Sequence, residues 1–177
     1  QELQTAYPQF SRWIGQTLSS HARKTQTVAS VGFPRLPHYF SQKLLASTKF
    51  VPVERVPMPP LSAIGLSQFA EFEQGDFDAI TYLNTFFVKS RQATDEQVHF
   101  HELIHIVQWR LLGPERFFAA YINGLETYGY CNNPLEVIAC NAEAEFCRTT
   151  HPFDAEKLVE EEMERIDPPL IKIVEPD

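Results

Sequence analysis

The chain has 177 residues, of which 44% are hydrophobic and 21% charged, the balance of a soluble globular protein long enough to bury a core as one domain. Its 15 Lys and Arg against 23 Asp and Glu leave a formal net charge of −8, which argues against nucleic acid as a partner, since phosphate recognition needs a basic surface. No apolar run reaches the roughly 18 residues of a membrane span.

From the N-terminus, Phe10, Trp13, Ile14 and Leu18 are spaced like one face of a helix. A polar stretch then ends on Gly32, and "LPHYFSQKLLAST" reads as a short helix with Pro37 in its first turn. "KFVPVERVPMPP" alternates like a strand, but its prolines predict an edge or irregular one. "FDAITYLNTFFVKS" is rich in β-formers around "LNT", which predicts a hairpin or one long bent strand.

Three helices follow. The first starts at Thr94, with Gln97 completing a capping box, and stops at Gly113-Pro114. The second is "PERFFAAYINGLETY", ending near Gly129; the third opens with an Asn cap and Pro134 and runs to about Cys147. Strands first and helices after predict an α+β domain with a small mixed or antiparallel sheet, followed by an acidic tail over residues 148–177. Cys131, Cys140 and Cys147 are too few, and odd in number, for a disulfide framework. They read as ordinary thiols, two of them half-buried on a helix, with a Cys-rich zinc site or one local bridge left conceivable. The chain opens on Gln1, with Met58 and Met163 as its only methionines. It therefore reads as trimmed, and both a cytoplasmic protein and one that has shed a signal peptide fit.

The chemistry concentrates in "FHELIHIVQW", residues 100–109. On a helix, His101 and His105 lie one above the other and aim at one point, with Glu102 turned about 100° away from His101. Chance alone supplies roughly 0.02 such H-E-x-x-H patterns in a chain of this composition, so context decides. Here the motif sits in the first half of a capped helix, among apolar residues that would bury the helix and dry the site. Two imidazoles can hold a zinc ion, which in a catalytic site takes three protein ligands and keeps a position for water. One zinc per chain is expected, with its third ligand elsewhere. His99 falls on the opposite side of the helix and reads as a plain polar residue or a partner of the ligands.

"HELIH" on a helix resembles the zincin metallopeptidases. "NNPLEVIAC" downstream resembles the gluzincins, whose third ligand is a glutamate on a later helix, within an E-x-x-A pattern that Glu136 and Ala139 match. "AITYLNTFFV" is similar to the zincin edge strand that lies along the cleft. The resemblance covers residues 79–147, which it implies are a zincin-like catalytic core in which an active-site helix precedes a glutamate-bearing one; residues 1–78 carry none. It implies metal ligation by His101, His105 and Glu136.

Rival third ligands remain. Glu143 lies two turns further along the same helix face, Glu126 follows His105 at a thermolysin-like interval, and His151 would give a three-histidine site. Glu136 itself has another use, completing a capping box after an Asn. A histidine six residues beyond the pair, as in metzincins, is absent, since position 111 is Leu111.

The expected reaction is hydrolysis of a peptide bond by a zinc-activated water, with Glu102 as general base. Tyr128, Tyr130 or His151 could steady the transition state. A peptide or protein substrate could pair with the edge strand, and Tyr82, Phe86 and Phe87 could line specificity pockets or simply fill the core. Two other classes stay open: a non-peptidase zinc hydrolase, and a non-catalytic zinc-binding recognition module. An intact Glu102 counts against the latter, because structural zinc needs no base.

Overall fold

A computed structural model describes residues 2–166. In chain order it holds α1 (Glu2–His21), β1 (Gln26–Thr27), α2 (Val28–Val31), α3 (Gln42–Ser47), β2 (Lys49–Val53), α4 (Ala70–Glu73), β3 (Ala79–Tyr82), β4 (Thr85–Lys89), α5 (Glu96–Leu112), α6 (Pro114–Tyr128), α7 (Pro134–Arg148) and α8 (Ala155–Ile166), with short 3₁₀ turns between. The fold is α+β around a small mixed sheet. Its strand order is β1-β2-β4-β3, with β2 and β4 parallel and the two outer pairings antiparallel.

The predicted hairpin is present as β3 and β4, joined by the two residues Leu83 and Asn84. Leu83 takes a positive φ of 59°, a conformation that a two-residue hairpin turn demands and that glycine normally supplies. β3 is an edge strand. β2, expected to be an edge or an irregular strand, lies between β1 and β4. The reason its Pro52 is tolerated is that β1 is only two residues long and pairs with β2 at Lys49 and Phe50 alone. Beyond Phe50 the β1 side of the strand carries no ladder bond, so a proline there breaks none.

Successive residues of β3 and β4 face opposite sides of the sheet. Thr81 and Phe86 face α5, where the Phe86 ring meets His99 edge-on at 5.0 Å. Tyr82 and Phe87 face α1, meeting Trp13 and His21 at 5.2 and 5.0 Å. α1 therefore covers one face and α5 the other. The face expected of α1 is present: Phe10 and Ile14 are buried, with Trp13 and Leu18 packed against the core.

α5 is the central element. Every side chain from His99 to Trp109 except His101 is buried, as befits a helix enclosed on all sides. Its cap is Asp95, one residue after the expected Thr94, whose carboxylate accepts the N–H groups of Gln97 and Val98. α6, α7, α8 and β3 all pack on it. α6 ends at Gly129 (φ 74°) and α7 starts from the Asn133 cap with Pro134 next.

Four local expectations need correction. "LPHYF" forms a 3₁₀ turn over Leu36–His38, and the helix proper begins after the Ser41 cap. The supposed acidic tail contains α8, which buries Ala155, Val159 and Met163; residues 167–177 lie outside those described. The three cysteines are all free and exposed, none half-buried. His99 is neither a surface residue nor a partner of the histidine pair: it is fully buried among Phe33, Phe50 and Phe86. Its Nε2 is 2.8 Å from the Ala93 carbonyl, and burial lowers its pKa, so it is a neutral core residue.

Candidate metal centre

His101, His105 and Glu136 converge where α5 crosses the first turn of α7. Two four-residue steps along α5 stack His101, His105 and Trp109 on one face. α7 can approach because its facing residues Ala139 and Ala142 are small and buried. The Asn133 side chain starts the helix by accepting the Leu135 N–H (3.2 Å) and ties it to α6 by donating to the Tyr121 carbonyl (3.0 Å). Glu136 therefore enters the site from a braced helix start.

The three inward atoms form a nearly equilateral triangle. His105 Nε2 is 3.2 Å from His101 Nε2, and the Glu136 carboxylate Oε2 is 3.4 Å from His101 Nε2 and 3.3 Å from His105 Nε2. A tetrahedral zinc with bonds of about 2.05 Å has ligand atoms roughly 3.3 Å apart. The donor set and its spacing thus fit a zinc ion.

Each inward group is also held from behind. His101 Nδ1–H donates to Glu143 Oε2 at 2.7 Å, and His105 Nδ1–H to Gln108 Oε1 at 2.8 Å. Gln108 in turn donates to the Leu135 carbonyl at 3.0 Å. The Tyr121 hydroxyl donates to Glu136 Oε1 at 2.6 Å. Binding the Nδ1 protons outward leaves both Nε2 lone pairs facing the centre, the tautomer a metal requires. Without a metal the three groups pair with one another. Burial alone would lower the histidine pKa values and raise that of Glu136. The contacts between them win, so His101 and His105 are raised and Glu136 is held well below the usual carboxylate range.

Glu102 points elsewhere. It is buried, and its Oε2 accepts a hydrogen bond of 2.6 Å from Thr81 of β3. It is thus fixed between the His101–His105–Glu136 triangle and the edge strand while standing outside the triangle. Lys89 N–H donates to the Asp78 carbonyl at 2.8 Å, so by alternation Ile80 and Tyr82 aim their amides at β4 while Ala79 and Thr81 aim theirs at the free edge. A cleft runs along that edge, lined by Thr81 from one face of β3, Ile80 and Tyr82 from the other, and His101, Glu102, His105 and Glu136.

The rival ligands are sorted by position. Glu143 lies behind His101 and supports it. Glu126 and His151 are exposed and outside the ligand triangle. Of the tyrosines considered, Tyr130 lines the cleft, whereas Tyr128 is 57% exposed and lines a different groove with Asn123 and Ile166. Tyr82 lines the cleft; Phe86 and Phe87 are core. Sequence reading passed over three residues. Gln108 carried a signal, three residues after His105; Thr81 and Tyr121 reach the site only through the packing of β3 and α6 on α5. Searched against protein families, curated proteins and solved structures, the chain matches none.

Proposed function

We propose that this protein is a zinc-dependent metallopeptidase of the gluzincin type, with His101, His105 and Glu136 as ligands and Glu102 as the proton carrier. The observation that carries the reading is the triangle of Nε2, Nε2 and Oε2 atoms with sides of 3.2 to 3.4 Å, every corner of which is hydrogen-bonded from outside. Zinc bound there would polarise a carbonyl and bring the pKa of water toward about 7.

The chain's own residues supply the rest. With Oε2 held by Thr81, Glu102 keeps Oε1 to take a proton from the attacking water and pass it to the leaving amine, work typically worth 10²–10⁴-fold. Burial keeps the Tyr130 phenol protonated by raising its pKa, with Glu136 adding to the effect; it is the cleft's hydroxyl donor toward a developing oxyanion. An extended peptide pairing with the free edge of β3 would run past Glu102, which favours a peptide over a small ester or amide.

The decisive test is Glu102→Gln. The variant should keep zinc, measured by elemental analysis, and its thermal transition, while hydrolysis of a mixed peptide library falls by at least about 10². Loss of metal along with activity would make Glu102 a structural residue and remove the assignment.

A further inference from the structure

The whole cleft of the candidate site, the ligand side chains included, has a volume of about 70 Å³. An interior cavity of roughly 150 Å³ takes up one benzene, and clefts that bind ligands usually run to roughly 300–1,000 Å³. Glu102, His105 and Glu136 are all buried. An extended peptide therefore reaches them only after a wall has moved. The walls differ in how firmly they are held. Trp109 of α5 and Phe117, Phe118 and Ile122 of α6 are buried core residues. Another wall is the stretch 70–77, which holds α4, leads towards β3 and contributes Phe72 and Phe77. Between the buried Phe69 and the buried Thr81 no residue is buried, so this stretch opens locally with little loss of packing. We propose that residues 70–77 are a lid that closes the cleft and swings away to admit the substrate. The proposal rests on the peptidase reading for what is admitted, and on the packing alone for the lid.

Rings latch the lid shut. Phe72 meets Tyr121 at 6.0 Å and Tyr130 at 6.1 Å, and Phe77 meets Tyr130 at 4.9 Å, centroid to centroid. These contacts reach from the lid to α6 and the turn after it, beside the tyrosine that holds Glu136. Polar ties add little. The Glu73 carboxylate accepts from the Ser62 N–H at 3.0 Å and its hydroxyl at 2.6 Å, and Asp76 pairs with Lys89 at 2.9 Å. Ser62 and Asp76 are exposed, so water competes for both ties. Gly75 completes the latch. The Phe77 ring lies over it, where a Cβ would run into the ring's Cε2. Gly75 does not take a positive φ, so an alanine there displaces the ring without straining the backbone.

Two variants move the lid in opposite directions and replace no group that serves the metal or the reaction. Gly75→Ala pushes Phe77 off Tyr130. In Ser62→Cys/Glu73→Cys, oxidised glutathione converts the two new thiols to a disulfide and leaves as two glutathione thiols; a thiol reductant reverses the step. Access is read in metal-free protein as the rate at which diethyl pyrocarbonate modifies His105, located by mass spectrometry. Exposed His151 is the internal reference. Gly75→Ala should raise the His105 rate at least about tenfold, and the disulfide should lower it about tenfold against the reduced form of the same protein. An unchanged His105 rate in Gly75→Ala, or in protein whose disulfide has formed, would overturn the lid. Hydrolysis of a mixed peptide library by the zinc-loaded native protein and by Gly75→Ala is scored separately. A responding His105 with no peptide cut by either protein would leave the lid standing and remove the peptidase reading instead.

Discussion

His101 is the least buried of the three ligand candidates, and its orientation depends most on what stands behind it. Glu143 fixes its ring at 2.7 Å and is itself held by Gln97 at 2.6 Å. Removing either histidine should abolish zinc binding in elemental analysis, and Glu136→Ala should weaken it severely. Glu143→Ala takes away support and not a ligand, so a loss of only about 10–100-fold in affinity is expected. If Glu143→Ala proved as damaging as Glu136→Ala, the two glutamates would have to exchange roles. The pH dependence follows from the same contacts. A metal must displace the Nε2 protons that Glu136 holds on the raised His101 and His105, so zinc affinity should fall as pH drops from about 7.5 to about 5.5. Metal-free protein should show the opposite trend. A raised histidine contributes stability that is complete below its unfolded pKa and lost as pH rises through the folded one. Thermal transitions of the two forms at both pH values would reveal the crossing.

At the scale of elements, α7 is positioned by one glycine. A Cβ on Gly124 of α6 would run into the Asn133 amide, which caps α7 three residues before Glu136. Gly124→Ala should therefore cost about 1–3 kcal/mol in chemical denaturation and lower zinc affinity, although residue 124 touches no ligand. Gly15 of α1 faces open space, so Gly15→Ala should stabilise by about 0.5–1 kcal/mol. Equal effects at the two positions would refute the contact argument.

Elements were also where the sequence spoke most clearly. The H-E-x-x-H spacing, the Asn-Pro start of α7, the Gly-Pro break after α5 and the β-rich run around "LNT" are short-range signals, and each element formed close to where its residues predicted. What stayed hidden depends on distant packing. Pro52 looked like an edge residue because nothing local says that β1 reaches only two residues along β2. His99 looked polar because α5 is enclosed on every side, which no single-face pattern conveys. The division of labour between Glu136 and Glu143 depends on where α7 crosses α5.

Across the whole molecule, the cleft and both faces of the sheet depend on partners far apart in the chain. The apolar stripe of α1 is covered within the fold, with Ala6, Phe10 and Ile14 buried. That stripe has its partner on α6, where Phe10 stacks on Phe118 at 4.3 Å. The two lie 108 residues apart in a chain that emerges from the ribosome at about 5–20 residues per second. For roughly 5–20 s of synthesis, then, Phe10 waits without the ring it stacks on. A nascent chain halted before residue 118 should expose that stripe to apolar dyes and to chaperones, and release from the halt should hide it. A helix made early is among the last to find its place.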